Sequence, residues 1–302
     1  MVQAELSPRW TEWHPLRGAG APGEGVLEEM LDGGQAFRWH RQDGTWTGQW
    51  GPHLARLRRG PADTVEWSAP QGFLEPTRAA LAQYLDLERD PRKLADALPW
   101  RSDPHLARCL EAFPGLRLLR QPFGETLLCF LCSATKQIVQ IKQMVARLAE
   151  RVGRPWGAEA PGRHCLPSWE AIAAATEPAL RACGLGFRAR HIHRTAQFLA
   201  AHPGWLEAAA AAPYPQARDR LCELPGVGEK VADCVLLFGA GRLEAFPVDV
   251  WILRAMARRY GLDGWKPAQV AQFGRAHFGE RAGLAQQYLF AWERKFGRVG
   301  GS

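Results

Sequence analysis

Five residues, Leu224-Pro225-Gly226-Val227-Gly228, interrupt an otherwise helical stretch and leave the chain few ways to continue. Residues 216–223 read as a short helix. A proline and two glycines then break it, because glycine tolerates tight and positive-φ turns, and a second helix restarts at Glu229. The result is a helix-hairpin-helix. Its turn amides and the new helix N-terminus direct N–H groups outward, which suits a phosphate oxygen and makes Gly226 and Gly228 candidate DNA-backbone contacts. Leu224 and Val227 are expected to anchor the turn in the core, and Ala232 is small enough to let the helices approach. A PGxG loop taken alone is equally a plain turn, so its neighbours decide the matter.

Two of those neighbours carry chemistry. Lys230 stands in the first turn of the second helix, where the macrodipole disfavours a cation. Partial desolvation there would leave some free amine, the form a Schiff-base nucleophile requires. Asp249 follows Phe246-Pro247-Val248 and precedes the apolar-periodic run Val250, Ile252, Leu253, Met256. That places it at a helix start, where a carboxylate is favoured. The helix rises about 15 Å from Lys230 to Gly239, and residues 240–248 reach up to about 30 Å when extended. The chain is therefore long enough to return Asp249 to Lys230. On their own the pair read more readily as a solvated surface lysine and a plain N-cap aspartate.

LPGVGEKVADC, followed by PVD at a helix start, resembles the helix-hairpin-helix DNA glycosylase superfamily, most nearly its 8-oxoguanine DNA glycosylase branch. The resemblance runs over about residues 30 to 295 and implies Lys230 as the lyase lysine and Asp249 as the catalytic aspartate. No cysteine follows Cys234, so the four-cysteine iron–sulfur site of the endonuclease III branch is absent. The seven scattered cysteines read as reduced core thiols. A net charge of +7 fits a polyanionic partner. Hydrophobic residues make up 46% of the chain, enough for a sizeable core and against disorder. No apolar run reaches the length of a membrane span, and the N-terminus lacks a signal peptide's apolar core. The expectation is a soluble, cytoplasmic protein of the nucleoid in a prokaryote, or otherwise nuclear, with no membrane partner.

The fold class expected is α+β, with an N-terminal antiparallel sheet domain (1–100, including a trailing helix). A helical domain framing the cleft (101–215) follows, then the hairpin segment with a C-terminal helix (216–302). Residues 1–75 read as β, with strands at 36–41, 45–50, 54–58 and 64–67. Asp43-Gly44 signals the first hairpin, and alternating aromatics give the sheet one buried face. Within this segment GGQAFRW resembles the stretch that brings a glycine carbonyl to the damaged base, which implies Gly34 in that role. The chemistry is economical: guanine has a lone pair at N7 and 8-oxoguanine has N7–H, so one rigid acceptor separates them.

From Thr77, expected to cap a helix over 78–87, the pattern turns helical. The run from Gly115 to Gly153 resembles the family over nearly all its length, with one departure. Thr135-Lys136-Gln137 stands for the asparagines of the human-type enzymes and Gln140 for the arginine that reads the opposite cytosine. Lys136 and Gln140 remain candidate DNA contacts, but the bidentate pattern of an arginine is lost, which implies relaxed opposite-base selectivity. Residues 153–168 are a Pro/Gly-rich connector, and Ser168 opens a helix expected to reach Cys183. GLGFRAR resembles the family's wedge turn. It implies insertion of Phe187 into the duplex, with Arg188 and Arg190 near phosphates or the orphaned base. Without the resemblance, Phe187 is equally a core anchor. The C-terminal helix, 280–296, places Gln286 and Phe290 on one face. The resemblance assigns Gln286 to the Watson–Crick edge and Phe290 to one face of the base, with Cys234 on the other; Trp251 replaces a histidine near the phosphate.

Taken together the resemblance implies a monomeric, bifunctional DNA glycosylase and AP lyase that excises 8-oxoguanine from double-stranded DNA. The steps are base flipping, stabilisation of sugar charge by Asp249, Schiff-base formation at Lys230 and β-elimination. No cofactor is required. A structural monovalent cation, Na+ or K+, is implied at the main-chain oxygens of Cys222, Leu224 and Val227. Two alternatives stand beside this reading. One is a glycosylase of the same superfamily for another base, such as an alkylpurine enzyme, against which Lys230 argues; the other is a non-catalytic damage-binding module.

Overall fold

The computed structural model describes residues 9–18, 22–157 and 159–297. Strands β1 (His14–Pro15), β2 (Trp39–Gln42), β3 (Thr45–Trp50), β4 (His53–Arg59) and β5 (Val65–Ser68) form one antiparallel sheet in the order β1-β5-β4-β3-β2. Asp43 and Gly44 join β2 to β3 with φ of 49° and 73°, the two left-handed residues that a two-residue hairpin needs. Trp39 pairs with Gly48 across the ladder and lies over it, so closely that a Cβ at 48 would come within 2.0 Å of the indole. Packing therefore requires that glycine. Trp39 also stacks on Trp50, and its Nε1 donates to the Tyr84 hydroxyl at 3.1 Å.

The expected aromatic face is present, built from Trp39, Trp46, Trp50 and Trp67 around Leu57. The opposite face is also covered. Leu54 packs there with Trp156, Ala160 and Cys165 in a small second cluster, while Arg56 and Arg58 lie over the rings of Trp10 and Trp13. The 153–168 connector thus folds back onto the sheet, pinned by a Pro155–His164 bridge.

Helices supply the rest: α1 (Glu24–Asp32), α2 (Leu74–Tyr84), α3 (Pro91–Asp96), α4 (Pro104–Ala112), α5 (Phe123–Leu131), α6 (Ile138–Val152), α7 (Trp169–Ala174) and α8 (Glu177–Leu180). They continue with α9 (Arg188–Ala201), α10 (Trp205–Ala211), α11 (Tyr214–Glu223), α12 (Glu229–Gly239), α13 (Val250–Tyr260), α14 (Pro267–Phe278) and α15 (Ala282–Phe296). Three differ from expectation. Residues 1–75 are not all β, because α1 buries Val26, Leu27, Met30 and Leu31 at helical spacing before the sheet begins. Thr77 is no cap: α2 starts at Leu74 and buries that side chain. The helix from Ser168 does not reach Cys183. It stops at Ala174, and Thr176 caps a new helix by accepting from Ala179 N, with Pro178 in its first turn, where a missing N–H costs nothing.

The core centres on α12, whose residues from Val231 to Phe238 are all buried. It packs on α5, with Phe130 stacked on Phe238 at 5.6 Å. Asp233, buried within α12, accepts from the Tyr214 hydroxyl at 2.8 Å and lies 3.4 Å from Arg218. Arg218 also reaches Glu229 at 2.8 Å. The buried charge is thus partnered, and the same contacts tie α11 to α12. Among the described residues no helix is long and apolar enough to cross a membrane.

Candidate active site

The hairpin positions everything else. Between α11 and α12 the turn closes through Val227 N donating to Leu224 O at 3.1 Å, with both side chains buried as expected. Gly226 has φ +84°, and a Cβ there would stand 2.7 Å from the His191 Cβ, so neither the backbone nor the space admits another residue. Gly228 is different. Its φ of −102° is ordinary, and the space around it is open. The missing side chain instead leaves the first amides of α12, which no cap side chain engages, facing outward. From α9, Thr195 Oγ1 donates to Pro225 O at 2.9 Å and holds the turn from behind.

Lys230, one residue into α12, is partly buried. Its Nζ donates to Ser133 Oγ at 3.2 Å and lies 5.2 Å from the centre of the Phe130 ring. Ser133 in turn donates to Phe130 O at 2.7 Å, so the hydroxyl's proton is committed and its lone pair is left for the lysine. Asp249 caps α13, with Oδ1 accepting from Trp251 N at 3.0 Å and Ile252 N at 2.9 Å. Burial pushes the Asp249 carboxyl up, while the Ile252 amide, the Lys230 charge and the Trp251 amide pull it down; burial prevails and its pKa is raised. One helical turn beyond Lys230, the Cys234 thiol is pushed up to about 12 by burial, opposed by the lysine beside it. Amine, thiol and carboxylate therefore share one locality.

Two further elements close on it. Gln286 of α15 is buried; its Nε2 donates to Pro247 O at 3.0 Å, and its Oε1 accepts from Gln287 at 2.7 Å. This hooks α15 to the segment that delivers Asp249. Each polar atom of the amide keeps one more hydrogen-bonding position for a ligand. Phe290, one turn on, is partly buried and lies beside Gly34, which has φ +97°: a Cβ at 34 would meet Ile138 Cδ1 at 3.2 Å and Phe290 Cε1 at 3.7 Å. The sheet domain and the C-terminal helix thus meet at Gly34. A separate cavity of about 610 Å³ between α3 and α4, lined by Trp100, Arg108 and Tyr288 among others, shares no residue with this constellation.

The outer residues divide. Phe187 is 56% exposed, which excludes a core anchor. Arg188 is the correction: expected at phosphates or the orphaned base, it is 3% exposed. Its guanidinium donates to the carbonyls of Ala134 and Leu185 and to Thr135 Oγ1. It clasps the loop after α5 to the Phe187 turn, holding Thr135 at a left-handed φ of 56°. Arg190 is exposed and free to face a phosphate. Lys136 and Gln140 are exposed as expected, although Gln140 Oε1 caps α6 by accepting from Gln137 N at 3.2 Å. Of the seven cysteines six are buried, whereas Cys222 is exposed. Cys222 lies in the last turn of α11, where carbonyls lack intrahelical partners, and Leu224 O has one lone pair left beside its bond from Val227. These neutral oxygens are of the type that replaces a monovalent ion's hydration shell. Ser133 and Thr195 were missed in sequence because their partners lie 97 and 30 residues away, at Lys230 and Pro225, and nothing local marks the contact.

Known proteins are similar to this chain in sequence and fold. Residues 22–127 match the family described as 8-oxoguanine DNA glycosylase, N-terminal domain, and residues 128–276 match the HhH-GPD superfamily base excision DNA repair protein. The N-glycosylase/DNA lyase OGG1 of Arabidopsis thaliana is 33% identical over 301 residues, covering 93% of this chain and 80% of that protein. A probable N-glycosylase/DNA lyase of Methanothermobacter thermautotrophicus is 31% identical over 245 residues, covering 73% and 76%. Among solved structures, the Clostridium acetobutylicum 8-oxoguanine glycosylase/lyase, in complex with double-stranded DNA containing cytosine opposite 8-oxoguanine, superposes with a TM-score of 0.81. It is 30% identical and covers 89% of this chain and 91% of that one.

Proposed function

We infer the reaction from a settled premise: the chain belongs to the 8-oxoguanine DNA glycosylases of the HhH-GPD superfamily. It is a DNA N-glycosylase with AP lyase activity, acting on double-stranded DNA that contains 8-oxoguanine. The observation that carries the assignment of its residues is the convergence of Lys230, Cys234 and Asp249 beside the hairpin.

In the mechanism we assign, the hairpin amides at Gly226 and Gly228 hold the backbone while the damaged nucleotide leaves the stack for the space between Cys234 and Phe290. The Gly34 carbonyl accepts from N7–H, and Gln286 offers its two remaining positions to the Watson–Crick edge. As the glycosidic bond breaks, the base departs with the electron pair and the ionised Asp249 stabilises the positive charge on the sugar. The Lys230 amine bonds to C1′ and gives up a proton, and the C1′–O4′ bond then breaks with its electron pair going to O4′, which takes up a proton. The iminium that remains acidifies the C2′ proton, whose loss expels the 3′ phosphate. Residues 1–100 present Gly34, residues 101–215 carry the wedge and the opposite-base loop, and residues 216–302 carry the chemistry. The enzyme acts as a monomer and needs no cofactor; Na+ or K+ at the carbonyls of Cys222, Leu224 and Val227 would add positive charge at the phosphate grip.

Two expected outcomes test this. With 8-oxoguanine placed opposite each of the four bases, free base is released from all four duplexes at rates within about tenfold. A good bidentate contact is worth roughly 1–3 kcal/mol of discrimination, and neither Gln140 nor Lys136 supplies one to cytosine. Binding without release from any duplex would leave a damage-binding module, and a hundredfold preference for cytosine would overturn the relaxed selectivity. Phe187→Ala should leave the melting temperature unchanged, because the ring is mostly exposed. It should slow single-turnover excision by about 10- to 100-fold, since nothing then offsets the few kcal/mol of unstacking. An unchanged rate removes the wedge role.

A further inference from the structure

We propose that Gln35 is a positioning residue that fixes the orientation of the Gly34 carbonyl, and with it the discrimination of 8-oxoguanine from guanine. This rests on the reading of Gly34 given above. The difficulty it resolves is physical. Gly34 has φ +97° and no side chain, so nothing in the residue itself restrains rotation of the peptide plane that carries its carbonyl. A lesion that differs from the normal base by one N–H is distinguished only if that plane is held still.

Gln35, the other half of that peptide, is 1% exposed and fastened at three points. Its Nε2 donates to Arg117 O at 3.0 Å and its Oε1 accepts from Leu119 N at 3.0 Å, so the side chain pairs with the 117–119 backbone as a strand would. Its own carbonyl accepts from Gln121 Nε2 at 2.7 Å. Rotating the 34–35 peptide changes ψ of Gly34 and φ of Gln35 together. The second cannot change without breaking these bonds, so the carbonyl direction follows from them.

The anchoring segment is itself fixed to the two helices of the site. Gln121 N donates to Phe238 O at 2.8 Å, near the end of α12, which carries Lys230 and Cys234. Leu116 O accepts from the Tyr288 hydroxyl of α15 at 3.3 Å, two residues before Phe290. Arg117 donates to Asp86 O and Arg89 O and is locked from the far side. On the N-terminal side of the turn, Lys142 meets Asp32 at 2.5 Å and Arg294 of α15 meets Glu29 at 2.9 Å. The turn at residues 33–34 is therefore held at both ends against the elements that present the base-stacking ring and the lysine.

The test compares two reactions of one protein. Release of 8-oxoguanine needs the base to be read; cleavage of a preformed abasic site needs Lys230 but no base. Gln35→Met keeps the volume and loses both side-chain bonds. It should lower 8-oxoguanine release by about 10- to 100-fold, the scale of a misplacement of about 1 Å. Abasic-site cleavage should stay within about twofold, and the ratio of 8-oxoguanine to guanine release should fall. Gln121→Met, which removes only the tether to the Gln35 carbonyl, should lower release selectively and to a smaller extent, and it decides the matter if Gln35→Met does not fold. Equal loss of both reactions marks Gln35 as merely structural, and no loss of either removes it from the site. A wild-type protein that cleaves abasic sites but releases no 8-oxoguanine would instead overturn the reading of Gly34.

Discussion

Replacing Lys230 with glutamine is expected to abolish the covalent complex trapped by borohydride and to lower base release by about a thousandfold or more. The substitution is chosen so that little else changes. A glutamine amide still offers an N–H to Ser133 Oγ, the partner of the native amine, and the surrounding residues of α12 stay packed. What disappears is a nitrogen lone pair able to bond to C1′. Borohydride can reduce only an iminium, so without that bond there is nothing to trap. Cys234, one turn away, does not substitute. Burial holds its thiol at about 12, so it is protonated at neutral pH and a poor nucleophile. Trapping at wild-type yield in the glutamine variant would mean that another amine forms the Schiff base.

The position of Lys230 beside the hairpin was legible in the sequence because its neighbourhood is local. Proline and glycine punctuate the chain between residues 224 and 228, the lysine follows within two residues, and the aspartate stands at the next helix start. The strand pattern before residue 75 was readable for the same reason, since Asp43-Gly44 and alternating tryptophans specify a hairpin without help from elsewhere. What escaped depends on contacts far apart in the chain. Arg188 follows Phe187 and reads as a DNA contact, yet besides the nearby Leu185 carbonyl its partners are Ala134 and Thr135, 54 and 53 residues away. A buried arginine and an exposed one look identical in sequence. Gly226 and Gly228 look alike too, although His191 packs against one and nothing approaches the other. Helix α1 was hidden by stronger β signals around it, and the break at Thr176 by the length of the periodic run it interrupts. In each case tertiary packing overrode or refined a local preference.

Asp249→Asn should lower excision by about 10²- to 10³-fold and, at neutral pH, raise the melting temperature. The two effects share a cause. Asparagine caps a helix about as well as aspartate, and its Oδ1 can still accept from Trp251 and Ile252 N, so α13 keeps its N-terminus. Only the charge is lost. In the folded protein the carboxyl pKa is raised, mainly by burial, and the opposing pull of the Ile252 amide and Lys230 does not cancel this. A raised folded value means that the native state binds the proton more tightly than the unfolded chain. That contribution to stability is complete below the ordinary aspartate pKa and is lost as pH rises through the raised one. At pH 7 the ionised group is therefore a burden on the fold, which the proposed role accounts for by the charge it would place beside the breaking bond. The stability gap between variant and native protein should narrow as pH falls through the raised value, where both side chains are neutral. The acid limb of kcat/KM in the native enzyme should lie above that of a free aspartate, since activity requires the ionised form. Asp249→Ala separates the charge from the cap: it should lose activity to a similar degree but melt below Asp249→Asn, by the roughly 1 kcal/mol a lost N-cap costs. An asparagine variant that excises within tenfold of the native rate would strip Asp249 of its catalytic role, and one that melts lower at pH 7 would show the carboxylate stabilising the fold it was expected to strain.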